Sequence, residues 1–372
     1  MDTSVLKREE RAVFALREMY RKYGYVQYKM NRFEEYDLYV RNKDFLVSDN
    51  VITFTDLGGR LLALRPDVTL SIIKNTPASL TGIRKVYYNE NVYRVPKGAD
   101  GFREIMQAGL ECTGNIDDYC IFEVLMLAAE SLRCISDECI LDISDLDIVS
   151  GLISGLGLPD EDTPRLLKCV AGKNAHEIAS ICRDGGANAE YAQALCSLVS
   201  LSGPPDEVLP ALKRLLGDEF RRELSRLESI ASALGSCSLG DMIHIDFSVV
   251  NDMSYYNGIV FRGFVRSLAS GILSGGQYDR LMDKMNRPFG GIGFAVYLDM
   301  LERMPSEKNK YDADTVILYD EGAELSSLAQ TIRLFTDKGV SVLALKSIPD
   351  GLRFRQLLHL RGKEAEILEV NA

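Results

Sequence analysis

The sequence has 372 residues, of which 46% are apolar and 26% charged, and 43 basic against 54 acidic side chains give a net charge of −11. This profile is typical of a globular protein of two or three domains, and the acidic balance argues against tRNA as a partner, because nucleic-acid binders usually present a basic face. The sequence lacks a run of about 18 apolar residues, so we expect no transmembrane helix. Its N-terminus is charged where a signal peptide needs an apolar core, which predicts a cytoplasmic protein.

The first element in the chain is an amphipathic helix. Val13, Leu16 and Tyr20 recur at helical spacing, which predicts a helix over residues 5–23 with one apolar face. Gly24 stands where the C-cap of such a helix is expected.

The segments that follow are rich in strand signals. Residues 51–69 predict a strand, a Gly-Gly turn and a second strand. The segments KVYYNENVYRV and REIMQAGLECTG predict further strands, and the basic loop between them contains glycine and proline. Residues 115–133 again predict a helix.

The middle of the chain changes character. Residues 148–235 are rich in leucine, alanine and serine at helical spacing, which predicts a helical insertion that ends at the hinge GSCSLG. Strands resume in MIHIDFSVV and YYNGIVFRGFV, and RPFGGIGFAVYLDMLERM predicts a strand that runs into a helix. From residue 313 onward the sequence predicts a small β-α-β unit.

The order of these elements gives the fold class. Strands dominate both sides of a helical insertion without regular βαβ alternation, which favours an α+β fold with an antiparallel sheet flanked by helices. The predicted domains are a core of residues 1–147 and 236–305, a helical insertion of residues 148–235, and a small α/β domain of residues 309–372.

The cysteines give no sign of a metal site. Eight cysteines are present, none of them in a CxxC pair, and the chain has three histidines. A zinc site needs thiolates and imidazoles clustered at short spacing. We therefore expect reduced thiols, most of them buried, and neither a metal nor another cofactor.

One strand has the pattern of a ligand-binding floor. Side chains alternate between the two faces of a strand, so Arg103, Gln107 and Glu111 share one face, with Gly109 between the last two. The same pattern also fits the solvent-facing side of a half-buried sheet. The loop between Arg94 and Arg103 can grip phosphates through its guanidinium groups or can be a plain surface turn.

Five segments in this order resemble the class II histidyl-tRNA synthetase family over roughly residues 1–305. LALRPDVT is similar to that family's LRPEGT, and the strand, loop and strand from KVYYNENVYRV to GLECTG resemble its motif 2. SYYNGIVF resembles the histidine-binding DYYTGLVFE, SGGQYDRL resembles GGGRYDGL, and GGIGFAVYLDML resembles motif 3. The resemblance implies the class II synthetase fold.

The resemblance also implies a histidine-like ligand pocket. Asp67 matches the carboxylate that binds the ligand's α-amino group, and Gln107 and Glu111 match the motif 2 residues that line the pocket. Tyr256 and Tyr278 match the tyrosines around the imidazole. A carboxylate for an ammonium group and amide or hydroxyl partners for an imidazole are chemically suited to these roles.

The departures from the family pattern lie on the ATP side. Met300 replaces the motif 3 arginine that contacts the ATP phosphates, and Asn251 replaces a catalytic arginine. Ile105 replaces the phenylalanine under the adenine. Arg94 and Arg103 remain as a vestigial ATP side, although the motif 2 loop is about one residue short, lacks the adjacent glutamate and has a proline at position 96. Motif 1 has Asn31 in place of its proline.

A synthetase-like chain with these losses resembles the regulatory subunits of short-form ATP phosphoribosyltransferase. The resemblance implies a chain that is not an enzyme by itself and has no catalytic residues. The resemblance implies a partner, a short catalytic subunit that performs the first step of histidine biosynthesis, and histidine as the feedback effector. It also implies self-association as a dimer near Glu34 within a hetero-oligomer. The alternatives are a histidine–tRNA ligase and a stand-alone amino-acid-binding or RNA-binding module.

Overall fold

The structure is a computed structural model that describes residues 6–43, 46, 51–95, 101–250, 255–304, 310–362 and 364–371. The chain divides into two compact units, Met1–Met304 and Pro305–Ala372. The described residues of the first unit form two sheets and those of the second form one, and each unit is described separately below.

The first unit contains twelve described strands. They are β1 Val26–Gln27, β2 Phe33–Glu35, β3 Thr53–Thr55, β4 Leu61–Leu64, β5 Ile83–Arg94, β6 Arg103–Gly114, β7 Cys139–Asp145, β8 Ser202–Gly203, β9 Ile243–Asp246, β10 Asn257–Val265, β11 Leu273–Gln277 and β12 Gly290–Tyr297.

The described α-helices of this unit fall into two groups, those of the core and those of the insertion. They are α1 Arg8–Lys22, α2 Asp37–Arg41, α3 Thr69–Lys74, α4 Asp118–Arg133, α5 Leu146–Gly155, α6 Thr163–Ala171, α7 Ala175–Asp184, α8 Ala189–Leu198, α9 Pro205–Leu215, α10 Arg221–Ser236 and α11 Asp279–Lys284. Short 3₁₀ helices lie at Asp160–Asp162, Asp218–Phe220, Gly240–Met242 and Leu298–Arg303.

The main sheet confirms the predicted antiparallel architecture. Its strand order is β1-β5-β6-β12-β11-β10-β7-β9-β8. The five pairings within the run from β5 to β7 in this order are antiparallel. Two pairings near the edges, β1 with β5 and β7 with β9, are parallel. A second sheet has the order β2-β4-β3 and forms the predicted strand, Gly-Gly turn and strand.

One face of the main sheet is covered by α1 and α4. The predicted apolar face of α1 is confirmed, because Val13, Leu16 and Tyr20 are buried. The C-cap of the helix is Tyr23, and Gly24 follows it with a φ of 82°. Tyr20 Oη and Ser131 Oγ, 2.9 Å apart, join the two helices by a hydrogen bond. Since these helices fill this face with apolar side chains, the opposite face carries the polar residues of β6.

The insertion is helical, as its periodicity predicts. Helices α5 to α10 pack their leucine-rich faces into the same apolar core as α4. The short strand β8 also belongs to this segment and joins the edge of the main sheet beside β9. Sequence periodicity does not reveal β8, because two residues are too few to show alternation.

The sheet of the second unit has two more strands than its sequence predicts. The predicted β-α-β is present as β13 Ala313–Tyr319, α12 Leu325–Thr336 and β14 Val342–Leu345. Two further strands, β15 Phe354–Arg361 and β16 Glu364–Val370, complete a sheet of order β14-β13-β15-β16.

The motif 3 segment is a strand that runs into a helix, as predicted, and that helix, Leu298–Arg303, is a 3₁₀ helix. The eight cysteines are all free, with Cys134 and Cys237 at the surface. Within the described ranges, no helix is long and apolar enough to cross a membrane, and no cluster of histidine, cysteine, aspartate and glutamate is arranged to hold a metal ion.

Candidate functional site

A polar cavity lies on the sheet face opposite α1 and α4. It encloses about 620 Å³ of empty space, part of it open to solvent. All five residues that the sequence predicts for the ligand pocket line it: Asp67, Gln107, Glu111, Tyr256 and Tyr278. Strands β6, β11 and β12 form its floor, and the start of α3 and the tyrosines form its walls.

The two arginines assigned to the ATP side have different positions in the structure. Arg94 lines the cavity, whereas Arg103 is exposed and does not. Arg103 is on the same face of β6 as Gln107 and Glu111 by alternation, as predicted. A strand rises about 3.3 Å per residue, so Arg103, four residues away, lies roughly 13 Å along the strand from Gln107. Arg94 is the sole lysine or arginine among the described residues that line the cavity.

Glu111 is the most buried charged group of the cavity, with 2% of its surface exposed. Thr69 Oγ1 donates a hydrogen bond to its Oε1 at 2.6 Å, and Tyr278 Oη donates to its Oε2 at 2.6 Å. Both carboxylate oxygens are thus fixed by neutral donors. A third partner with positive charge can still approach the same group, since a carboxylate has about four acceptor positions.

The environment of Glu111 favours its protonated form. Burial raises the pKa of Glu111 from 4.5 to about 8, although the hydrogen bonds from Thr69 and Tyr278 oppose the shift, and the nearby Asp67 carboxylate adds to it. A buried carboxyl with no facing cation behaves in this way, because the protein interior solvates the charge poorly. A positive charge placed beside Glu111 would therefore favour its ionised form.

Asp67 is the second carboxyl of the cavity, and buried Arg65 positions its segment. Arg65 is 0% exposed and donates to the carbonyl oxygens of Asn31 at 2.6 Å and Asn91 at 2.8 Å, which fixes this segment against β5. Asp67 Oδ1 accepts a hydrogen bond from the backbone N–H of Leu70 at 2.8 Å. Burial raises the pKa of Asp67, while that hydrogen bond and the charge of Arg94 oppose the shift.

Aromatic rings form one wall of the cavity. The rings of Tyr255 and Tyr256 are 4.6 Å apart and those of Tyr255 and Tyr278 are 6.2 Å apart, both in edge-to-face arrangements. Burial raises the pKa of Tyr278 well above its ordinary value, so its hydroxyl is a neutral hydrogen-bond donor. Such a wall suits a flat ring with polar edges.

Glycines allow the strands of the floor to approach these groups. A Cβ at Gly293 would lie 1.9 Å from Glu111 Oε2, and a Cβ at Gly291 would lie 2.2 Å from the ring of Tyr278. The glycines of GGIGF thus lie under a flat ring and a carboxyl. Larger residues at either position would displace the pocket groups.

Several lining residues are not predicted from the sequence. Thr69, Tyr88, Tyr255, Ser274 and Tyr297 also line the cavity. Thr69 ends the motif-like segment LALRPDVT, so its proximity to Asp67 is the signal that could have found it. The others lie on strands where alternation alone does not separate a pocket face from a buried one.

The structure describes Met300 and Ile105, two of the residues that replace family residues on the ATP side. Met300 lies in the 3₁₀ helix after β12, where it is half-buried against the main apolar core and does not line the cavity. Ile105 is half-buried against an apolar cluster that includes Val68 and Val92. Asn251 and position 96 lie outside the described residues.

Comparisons with known proteins agree on one family. The sequence model of the family "Histidyl-tRNA synthetase" matches residues 2–301. An ATP phosphoribosyltransferase regulatory subunit from Thermoanaerobacter sp. (strain X514) is 30% identical over 320 residues, which cover 84% of this chain and 83% of that protein.

Two solved structures share the fold. One is described as an ATP phosphoribosyltransferase regulatory subunit/histidyl-tRNA synthetase from Bacillus halodurans. It has a TM-score of 0.76 and 22% identity, and the match covers 97% of this chain and 96% of that one. The other belongs to an ATP phosphoribosyl transferase complex from Thermotoga maritima, with a TM-score of 0.62, 20% identity and coverage of 79% and 98% of the two chains. The predicted resemblance is confirmed: the chain belongs to the histidyl-tRNA synthetase family and, within it, to the ATP phosphoribosyltransferase regulatory subunits.

Proposed function

We propose that this chain is the regulatory, non-catalytic subunit of a short-form ATP phosphoribosyltransferase, required by a partner subunit that performs the first step of histidine biosynthesis. One observation carries the proposal: the cavity has two carboxyls and an aromatic wall for an amino acid, but Arg94 is its sole described cation. The names of its relatives support the same function.

Among the described residues that line the cavity, Arg94 is the sole cation, which we propose is too little positive charge for amino-acid activation. Activation needs positive groups that stabilise charge on a transferring phosphorus centre, and losing one such group commonly costs about 100- to 1000-fold in rate. Met300 stands where the family has one of these arginines, and a thioether cannot replace a guanidinium. A ligase would therefore need cations from outside the described cavity.

Histidine is the proposed effector, bound in the cavity. Glu111 and Asp67 offer carboxylates to its ammonium group, and Gln107, Tyr256 and Tyr278 offer polar and aromatic partners to its imidazole. Feedback on a partner's active site is then a coupling between two sites, for which about 1–3 kcal/mol is typical. The complex is proposed to be cytoplasmic, where free cysteines stay reduced.

A homodimer is the proposed assembly of this chain within the complex. On the small β2-β4-β3 sheet, Phe33 and Phe54 are 46% and 39% exposed, with ring centroids 5.6 Å apart. Two exposed aromatic rings in contact form an apolar patch of the kind found at interfaces. Glu34, near which the dimer interface is predicted, follows Phe33 in the same strand and is paired with Lys74 at 2.7 Å.

The first prediction concerns the partner. Mixing the pure chain with a short-form ATP phosphoribosyltransferase catalytic subunit is expected to give a stable complex and to restore or strongly raise transfer from phosphoribosyl pyrophosphate to ATP. Histidine is expected to inhibit the mixture more than the catalytic subunit alone. Absence of a complex at micromolar concentrations, measured by sedimentation, would contradict the proposal.

The second prediction concerns Glu111 and pH. Because the pKa of Glu111 in the empty pocket is about 8, ammonium binding below that pH requires loss of a proton, so histidine affinity is expected to rise from pH 6 to pH 8. Glu111→Gln is expected to reduce this rise, although the ligand's own imidazole also titrates in this range, and to weaken binding at pH 8 by about tenfold or more, as expected for a hydrogen bond to a charged group. Calorimetry at three pH values measures both effects.

Glu104→Gln is the matched control, because Glu104 is exposed on the same strand.

The ionisation of Glu111 also affects the stability of the fold. The folded-state pKa of Glu111 lies above its unfolded value of 4.5, so the free energy of unfolding falls as pH rises from about 4.5 through 8. Glu111→Gln is expected to flatten this fall, whereas Glu104→Gln is not. Parent-like pH profiles in Glu111→Gln would refute the role of this carboxyl.

The third prediction concerns the dimer. Replacing Phe33 and Phe54 together by serine removes the exposed aromatic pair and is expected to shift the pure chain from dimer to monomer in sedimentation experiments. Phe14→Ser is the control, because Phe14 is 53% exposed on α1. A doubly substituted chain that sediments like the parent would place the interface elsewhere.

A further inference from the structure

The wall of the cavity that carries Tyr256 ends in a β-bulge. The pairing of β10 with β11 shifts register between Asn257 and Val260. Gly258 lies within this irregularity and has a φ of 57°, a conformation that side chains with a Cβ rarely adopt. Bulges re-aim neighbouring side chains, so the geometry at Gly258 sets the direction of Tyr256.

Two side chains outside the bulge hold its backbone. The N–H of Gly258 donates to Asp147 Oδ1 at 3.3 Å, and the N–H of Ile259 donates to Gln277 Oε1 at 2.9 Å. Gln277 belongs to the adjacent strand β11, whereas Asp147 lies at the start of α5. The bulge is therefore attached to an element that leads directly into the insertion.

Asp147 is in turn held by the insertion. Arg226, on α10, approaches Asp147 Oδ2 at 3.5 Å through Nη2 and forms a tighter ion pair with Asp145. Asp145 is fully buried and caps α5 by accepting a hydrogen bond from the N–H of Asp147 at 3.0 Å. The guanidinium of Arg226 thus fixes the two carboxylates at the junction of β7 and α5.

On the cavity side, ring contacts connect the bulge to Glu111. Tyr256 packs over Gly276, where a Cβ would lie 2.9 Å from its ring. Its ring contacts that of Tyr255, which contacts Tyr278, and Tyr278 donates to Glu111. A shift of the bulge therefore moves the aromatic wall relative to the carboxyl that we propose binds the ligand's ammonium group.

We propose that Asp147 is a positioning residue of the ligand pocket, and that Arg226 makes its position depend on how the insertion is seated on the sheet. The proposal rests on the proposed function for the identity of the ligand, histidine. It adds a coupling element, because any partner contact that moves α10 changes the affinity of the cavity for its ligand. Neither residue lines the cavity.

The test uses substitutions at Asp147, because loss of Arg226 would leave the buried Asp145 carboxylate without its cation and would endanger folding. Asp147→Ala removes the acceptor for the Gly258 N–H, whereas Asp147→Asn keeps a carbonyl oxygen there. Asp160→Ala is the control, an exposed aspartate of the insertion. The full-length variants are labelled with 3-fluorotyrosine, and Tyr256→Phe assigns the Tyr256 ¹⁹F resonance.

Asp147→Ala is expected to weaken histidine binding about fivefold or more, the effect of losing one hydrogen bond, and to shift the Tyr256 resonance in the unliganded chain. Asp147→Asn and Asp160→Ala should bind like the parent, and the exposed Tyr119 should keep its resonance in all variants. Parent-like affinity and an unmoved Tyr256 signal in Asp147→Ala would overturn the inference.

The two proposals fail in distinguishable ways. If the parent chain does not bind histidine, the proposed effector site is wrong. The positioning role of Asp147 is then decided by the Tyr256 resonance alone. A shift in Asp147→Ala that Asp147→Asn reverses supports it, and an unchanged resonance refutes it.

Discussion

The buried carboxyl of Glu111 is the constraint around which the cavity is built. A carboxyl that is 2% exposed is costly unless its oxygens are hydrogen-bonded, and Thr69 and Tyr278 supply those bonds from two separate segments. Gly293 leaves the space that the carboxyl occupies. These contacts bring together α3, β6, β12 and the segment before α11, so the position of the pocket follows from satisfying one polar group.

The buried carboxyl of Glu111 also explains the contrast between the amino-acid side and the ATP side of the site. The cavity keeps two carboxyls and an aromatic wall, and burial raises the pKa of Glu111 to about 8, so a cationic ligand must displace its proton below that pH. On the ATP side Met300 packs into the core. In the proposed function, a chain with this distribution of charge senses an amino acid without activating it, and Asp147 and Arg226 are the proposed path from that ligand to the insertion.

Much of this could be predicted from the sequence, since ordered motif-like segments on alternating strands specify which side chains share a face. Gln107 and Glu111 reach the cavity for that reason. Arg103 lies on the same face of the strand but beyond the cavity, because alternation determines the face on which a side chain lies and not its distance along the strand. Thr69 and the Gly258 bulge were not foreseen, since their roles depend on contacts between distant elements. Strands β15 and β16 were missed because charged residues interrupt their apolar pattern.

Histidine-dependent exchange of labelled pyrophosphate into ATP by the pure chain tests the central claim most directly. The account predicts that histidine occupies the cavity, as measured by calorimetry on the same preparation, while exchange at that saturating concentration stays at the level of a blank. Exchange that depends on histidine and disappears in Glu111→Gln would contradict the account, because it would mean that the chain activates the amino acid and acts as a histidine–tRNA ligase.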